Sequence, residues 1–98
     1  MDKVAYCISK MTLVANKVVQ DFIAENEPKR DLNINDLKLK FQAFKGDLIQ
    51  DVNKYMQQCL LEGADQNELT KGTMDVISDA SNHVTHFIRL HFDIDIRE

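Results

Sequence analysis

Three segments of the chain repeat apolar residues at alternating steps of three and four, and this period constrains the fold more than any other feature. Such spacing places apolar side chains on one face of an α-helix, which has about 3.6 residues per turn. The first segment predicts a helix over residues 3–25, which ends before Pro28 because proline cannot continue a helix. Its predicted inward face comprises Val4, Ile8, Met11, Ala15, Val18 and Phe22.

A second helix is predicted over residues 34–62. Asn33 has the side chain of a helix N-cap, Asp36 stands three residues later, and Gly63 is suited to the left-handed position after a helix end. The predicted inward face comprises Ile34, Leu37, Phe41, Phe44, Leu48, Val52, Tyr55 and Cys59.

A third helix is predicted over residues 66–91, because Asp65 and Glu68 have the spacing of a capping box. Apolar residues then alternate with polar ones within residues 92–98, which predicts a short extended C-terminal tail. The predicted inward face of the third helix comprises Leu69, Thr73, Val76, Ala80, His83, Phe87 and Leu90.

Short connections between long helices favour antiparallel neighbours, so the predicted architecture is all-α, an up-down-up bundle. The 98 residues are sufficient for one domain, 1–98, and the 44% hydrophobic content is that of an ordinary folded protein. No apolar run approaches the length of a bilayer span, and no secretory signal is recognised at the N-terminus. The expected location is therefore cytoplasmic.

The two cysteines are predicted to be buried free thiols. If the first two helices are aligned from their facing ends, Cys7 lies level with Val52, and Cys59 lies ~10 Å further along the axis. That separation exceeds the ~7 Å Cα limit for a disulfide.

Residues with catalytic or cofactor-binding chemistry do not form a recognisable motif. Gly46, Gly63 and Gly72 are isolated, so neither a phosphate-binding loop nor a dinucleotide fingerprint is present. A formal net charge of −4 disfavours non-specific nucleic-acid binding. We therefore expect neither a cofactor nor an enzymatic activity.

Asp79, His83 and His86 are the one group with metal-ligating atoms at helical spacing, since they share one side of the third helix. Structural zinc takes four protein ligands, and bundle metal sites use Glu-x-x-His pairs, which this chain lacks. The expectation is that no metal binds, with His83 beside the core and His86 half exposed.

Basic residues concentrate between the first helix and the start of the second: Lys29, Arg30, Lys38 and Lys40. Together with Tyr6 or Tyr55 as a stacking surface, they support an alternative function, the binding of an anionic small molecule such as a nucleotide by an oligomeric bundle. Because the helical lysines point in different directions, a solvated surface is the favoured interpretation.

Apolar residues outside the predicted inward faces indicate a second packing partner. Tyr6 and Leu13 fall nearly opposite the core face of the first helix, and the second helix widens its apolar arc with Ile49, Met56 and Leu60. These five residues are the predicted self-association surface, with the C-terminal tail as a further arm. The leading hypothesis is thus a non-enzymatic cytoplasmic interaction or regulatory protein, a homodimer that binds and modulates another macromolecule.

Overall fold

The computed structural model describes residues 2–96 and contains three helices, α1 (Lys3–Asn26), α2 (Ile34–Leu61) and α3 (Gln66–Phe92). Each helix agrees with its predicted range to within one residue at either end. Residues 2–96 contain no strand, and the longest dimension of the molecule is 47 Å, close to the ~42 Å length of a 28-residue helix. The predicted three-helix architecture is confirmed.

The helix ends follow the capping residues in the sequence. The Asn33 side chain accepts a hydrogen bond from the Asp36 amide at 2.9 Å, and Asp36 reciprocates as a capping box. Asp65 accepts from the Glu68 amide at 3.0 Å, and Gly63 has a φ of +93°, which a side chain would disfavour. Local hydrogen bonds therefore fix the first turns of α2 and α3, and Gly63 allows the turn between these two helices.

Four residues of the predicted inward faces are exposed instead. Ile34 and Tyr55 on α2 are 41% and 38% exposed, and on α3 both His83 and Leu90 lie at the surface. In α3 the buried positions after Ala80 advance by four to Val84 and Ile88. The prediction that the next inward residue lies three positions after Ala80, at His83, was therefore wrong: that residue is Val84, and the His83 side chain is exposed to solvent. The core consists of Val4, Cys7, Met11, Ala15, Val19, Phe22, Leu37, Phe44, Leu48, Val52, Cys59, Leu69, Val76, Ala80, Val84, Ile88 and Ile96.

The cysteines form a disulfide, and the prediction of two free thiols is wrong. Cys7 and Cys59 have Cα atoms 6.4 Å apart, so the register between α1 and α2 differs from the expected one by about seven residues. Two further contacts have the same register: Lys3 Nζ donates to the Glu62 carbonyl at 2.9 Å, and Lys40 Nζ lies 3.8 Å from Glu25 Oε1.

The connection between α1 and α2 explains the shifted register. Residues 27–33 continue past the end of α1, so the first turn of α2 extends beyond its neighbour. The last turn of α3 contacts the linker: His91 Nε2 lies 3.2 Å from the Lys29 carbonyl, and the Arg30 guanidinium contacts the same imidazole. The number of residues in the linker does not show whether it turns back at once or first continues along the axis of α1, so this register could not be predicted from the sequence.

All five phenylalanines gather at this end of the bundle. Phe22 packs edge-to-face against Phe44 and Phe87, with centroids 5.4 and 6.4 Å away. α3 ends at Asp93 in left-handed geometry, after which the chain returns and buries Ile96. The described part of the tail therefore covers its own core, and positions 97 and 98 of the predicted tail lie outside the described residues.

Candidate functional site

The outer face of α1 carries two exposed apolar residues of the predicted self-association surface. Tyr6 is 51% and Leu13 is 64% exposed, and their spacing of seven residues places them on one line along the helix. The ammonium group of Lys10 lies 5.4 Å from the centroid of the Tyr6 ring. This face combines apolar side chains with a cation.

The remaining members of that predicted surface divide between solvent and core. Ile49 is 47% exposed on α2, whereas Met56 and Leu60 are half-buried and pack against the core of their own chain. The wide apolar arc of α2 is thus partly covered within the chain, because one flank of the helix meets the core.

The basic residues occupy different environments. Lys29 and Lys40 Nζ lie 3.9 and 3.8 Å from the same Glu25 Oε1, which brings the linker and α2 to one carboxylate. Arg30 donates to the carbonyls of Glu27 and Lys29 at 2.7 and 3.3 Å, and Lys38 is exposed. The ammonium groups of Lys29 and Lys40 therefore both lie near the Glu25 carboxylate, whereas Lys38 lies elsewhere on the surface of α2.

The pKa of Lys29 is lowered from the ordinary lysine value. The main cause is a side-chain hydrogen bond with Lys40, and desolvation and the Lys40 charge act in the same direction. The Glu25 carboxylate opposes the shift. The two ammonium groups therefore compete for one anion, and the neutral form of Lys29 is favoured relative to an isolated lysine.

Asp79, His83 and His86 lie along a shallow surface depression of about 430 Å³ on α3, which Arg89 also lines. Its lining comes from α3 alone, so no neighbouring helix encloses it. Within residues 2–96, no group of three or more His, Cys, Asp or Glu side chains is arranged to hold a metal ion.

A groove between α1 and α2 was missed by the sequence analysis. It has a volume of about 370 Å³ and an apolar floor that includes Phe22 and Phe44. At its end lies Asn26, which is 1% exposed. Four carboxylates line it: Asp21 and Glu25 on α1, Asp47 and Asp51 on α2.

The sequence contains a signal for this groove. Asn26 lies four residues after Phe22 and so continues the inward face of α1 with a polar side chain. Each carboxylate pair has the i, i+4 spacing that places both members on one side of a helix. Only the register between α1 and α2 brings the two pairs to the same groove, and that register was not predictable from spacing.

Among the described residues, no helix has the length and apolarity that crossing a membrane requires. No protein-family model, no curated protein and no solved structure matches this chain.

Proposed function

We propose that the protein is a non-enzymatic interaction module that self-associates through the outer face of α1 and, as a dimer, binds and modulates another macromolecule. The observation that carries this proposal is the exposure of Tyr6 and Leu13 on one line of α1. Tyrosine is enriched at the centres of protein interfaces, where it supplies a large apolar area with a polar end.

The surroundings of this line support an interface with a polar rim. Lys10 lies over the Tyr6 ring, and Lys17 forms an ion pair with Asp21 at 3.1 Å one turn beyond Leu13. An apolar centre flanked by charged groups is the usual anatomy of a non-obligate interface. Ile49 on α2 is also exposed, but it lies on the flank of α2 away from α1, and Met56 and Leu60 pack against the core of their own chain.

Light scattering coupled to gel filtration tests this proposal. The chain has a mass of 11.3 kDa, so a dimer has twice that mass. Leu13→Glu should convert the dimer to a monomer because an unpaired charge is costly in a buried interface. Asn16→Glu is the matched control, since Asn16 is also exposed on α1 and is not apolar. A monomer at micromolar concentration, or a dimer unaffected by Leu13→Glu, contradicts the proposal.

The disulfide bears on where the protein works. Disulfides persist in oxidising environments and are rare in the cytosol of most cells. The Cys7–Cys59 bond therefore favours an oxidising compartment over the cytoplasmic location expected from the sequence.

A further inference from the structure

The groove between α1 and α2 carries negative charge on both of its rims. Asp21 and Glu25 lie one turn apart on α1, and Asp47 and Asp51 lie one turn apart on α2. Lys40 is the one basic residue among the side chains that line the groove. The lining is therefore acidic.

The two rims differ in how their charges are neutralised. On the α1 rim, Asp21 pairs with Lys17 at 3.1 Å, and Glu25 is approached by Lys29 and Lys40. On the α2 rim, neither Asp47 nor Asp51 forms an ion pair with any residue in the described part of the chain. Asp51 is also half-buried in the lining of the groove.

Asn26 supplies a second, independent observation. Its Nδ2 donates to the Phe22 carbonyl at 2.8 Å, but its buried Oδ1 accepts no hydrogen bond from residues 2–96. A buried acceptor without a partner is destabilising, and most such atoms in folded proteins are satisfied. Asn26, which lines the acidic groove, therefore has a buried acceptor atom that lacks a donor.

The floor between the rims is apolar. The apolar residues of the lining are Val18 and Phe22 from α1 and Ala43 and Phe44 from α2. A compound that fits this groove has positive ends for the rims, methylene groups for the floor and N–H donors for the free acceptor. These are the properties of an aliphatic amine with more than one ammonium group.

We propose that the α1–α2 groove is a binding site for alkylammonium compounds, namely diamines or polyamines. The ammonium groups pair with Asp47 and Asp51 and extend toward Glu25, and one N–H donates to Asn26 Oδ1 after a small rearrangement of the side chains around that buried atom. The methylene chain lies over Phe22 and Phe44. The apolar centre of the self-association surface does not overlap this site, because Tyr6 and Leu13 do not line the groove; the two surfaces share only Asp21, at their edges.

Isothermal titration calorimetry with putrescine and spermidine tests the site on the full chain. Both amines should bind, spermidine more tightly because it carries one more charge, and the affinity should fall as salt is added. Butanediol is the uncharged control of matched length and should not bind. Nα-acetyl-lysine amide, whose single ε-ammonium stands for a lysine of another protein, should bind more weakly than putrescine. If it binds more tightly, a protein lysine rather than a free polyamine is the natural source of the same group.

Paired charge variants locate the binding. Asp47→Asn with Asp51→Asn should weaken spermidine binding by at least about tenfold. Asp75→Asn with Asp79→Asn is the matched control, because these α3 residues have the same spacing and the same change in net charge but lie outside the groove. Asn26→Leu should also weaken binding while retaining the helical circular dichroism spectrum.

Three results overturn the proposal. The first is no heat of binding with either amine, and the second is an equal loss of affinity in the groove and control pairs. The third is equally tight binding of calcium ions, which would indicate a response to charge alone. The Leu13→Glu variant should bind spermidine as the unmodified chain does, so that failure of the self-association proposal leaves this result interpretable.

Discussion

Cys7, near the start of α1, is joined by a disulfide to Cys59, near the end of α2, across a sequence separation of 52 residues. Both cysteines are almost completely buried, at 2% and 6% exposure. The bond therefore ties the open end of the α1–α2 hairpin from inside the core. The closed end of the hairpin is held separately, by the linker and the phenylalanine cluster.

Removal of the disulfide should lower the free energy of unfolding. For a loop of this size, the chain-entropy relation gives about 4 kcal/mol at 25 °C. Urea unfolding of Cys7→Ala with Cys59→Ala, compared with the unmodified chain, measures this loss. Each single variant should be nearly as unstable as the double variant, because either one abolishes the bond. A urea midpoint that reducing agent leaves unchanged would contradict the prediction, as would alkylation of two thiols in the unreduced, unfolded protein.

Two glycines within helices should respond oppositely to alanine. A Cβ added at Gly46 meets nothing within 4 Å, so Gly46→Ala should stabilise the protein by about 0.5–1 kcal/mol through helix propensity. A Cβ at Gly72 would overlap Ile8 Cδ1 and lie 2.8 Å from Ile8 Cγ1, so Gly72→Ala should be destabilising by about 1–3 kcal/mol. Because Ile8 also packs against the core, Ile8→Ala is itself destabilising, but the double variant with Gly72→Ala should lose less stability than the sum of the two single variants. Thermal unfolding of the variants checks the order, and an equal gain at both glycines would show that α1 and α3 are further apart.

Phe44→Ala should be among the most destabilising single substitutions. Its ring is 4% exposed and packs against Phe22 and Phe41, so the expected cost is about 3–5 kcal/mol. Gln42→Ala, two residues away on the exposed side of α2, should cost well under ~1 kcal/mol. Chemical unfolding of both variants provides the measurement, and similar costs would mean that α2 is rotated about its axis.

Substitution of Lys40 should raise the pKa of Lys29. Lys40→Gln removes the charge of Lys40 and alters its hydrogen bond, the chief cause of the lowered pKa. Nuclear magnetic resonance titration of the lysine Cε signals measures the shift, and Lys38→Gln is the control on the same helix. An unchanged Lys29 titration in Lys40→Gln would contradict the prediction.

The sign of the corresponding pH effect follows from the same shift. Because the pKa of Lys29 is lower in the folded protein than in the unfolded chain, the unfolded chain binds this proton more tightly. Lys29 therefore opposes folding while it is protonated. Stability rises with pH between the folded and the unfolded pKa, and this contribution should be smaller in Lys40→Gln.

The sequence was sufficient for the helices because their signals are local. Asn33 and Asp65 cap the starts through bonds to residues three positions later, and the apolar period defines the core face without knowledge of the neighbours. Most of the predicted inward residues are buried. His83 and Leu90 are exposed instead, because the inward face of α3 continues from Ala80 to Val84, four residues later, and not to His83, three residues later.

The register between helices and the groove depend on longer-range geometry. The disulfide was missed because the linker was treated as a tight turn, whereas it advances along the axis past Asn26. The same displacement brings Asp47 and Asp51 beside the carboxylates of α1. Spacing along one helix cannot give the offset between two helices, so neither feature could be derived from the pattern.

The disulfide also gives the chain a covalent topology that its linear order hides. Residues 7–59 form a covalently closed ring that contains most of α1, the whole α1–α2 linker and nearly all of α2. The backbone that follows Cys59 is the covalent connection between this ring and α3. A peptide bond cut anywhere between Lys29 and Leu32 opens the ring but leaves a single molecule, with both helices still joined at their far ends. A nick in the linker therefore does not release either helix of the hairpin from the other.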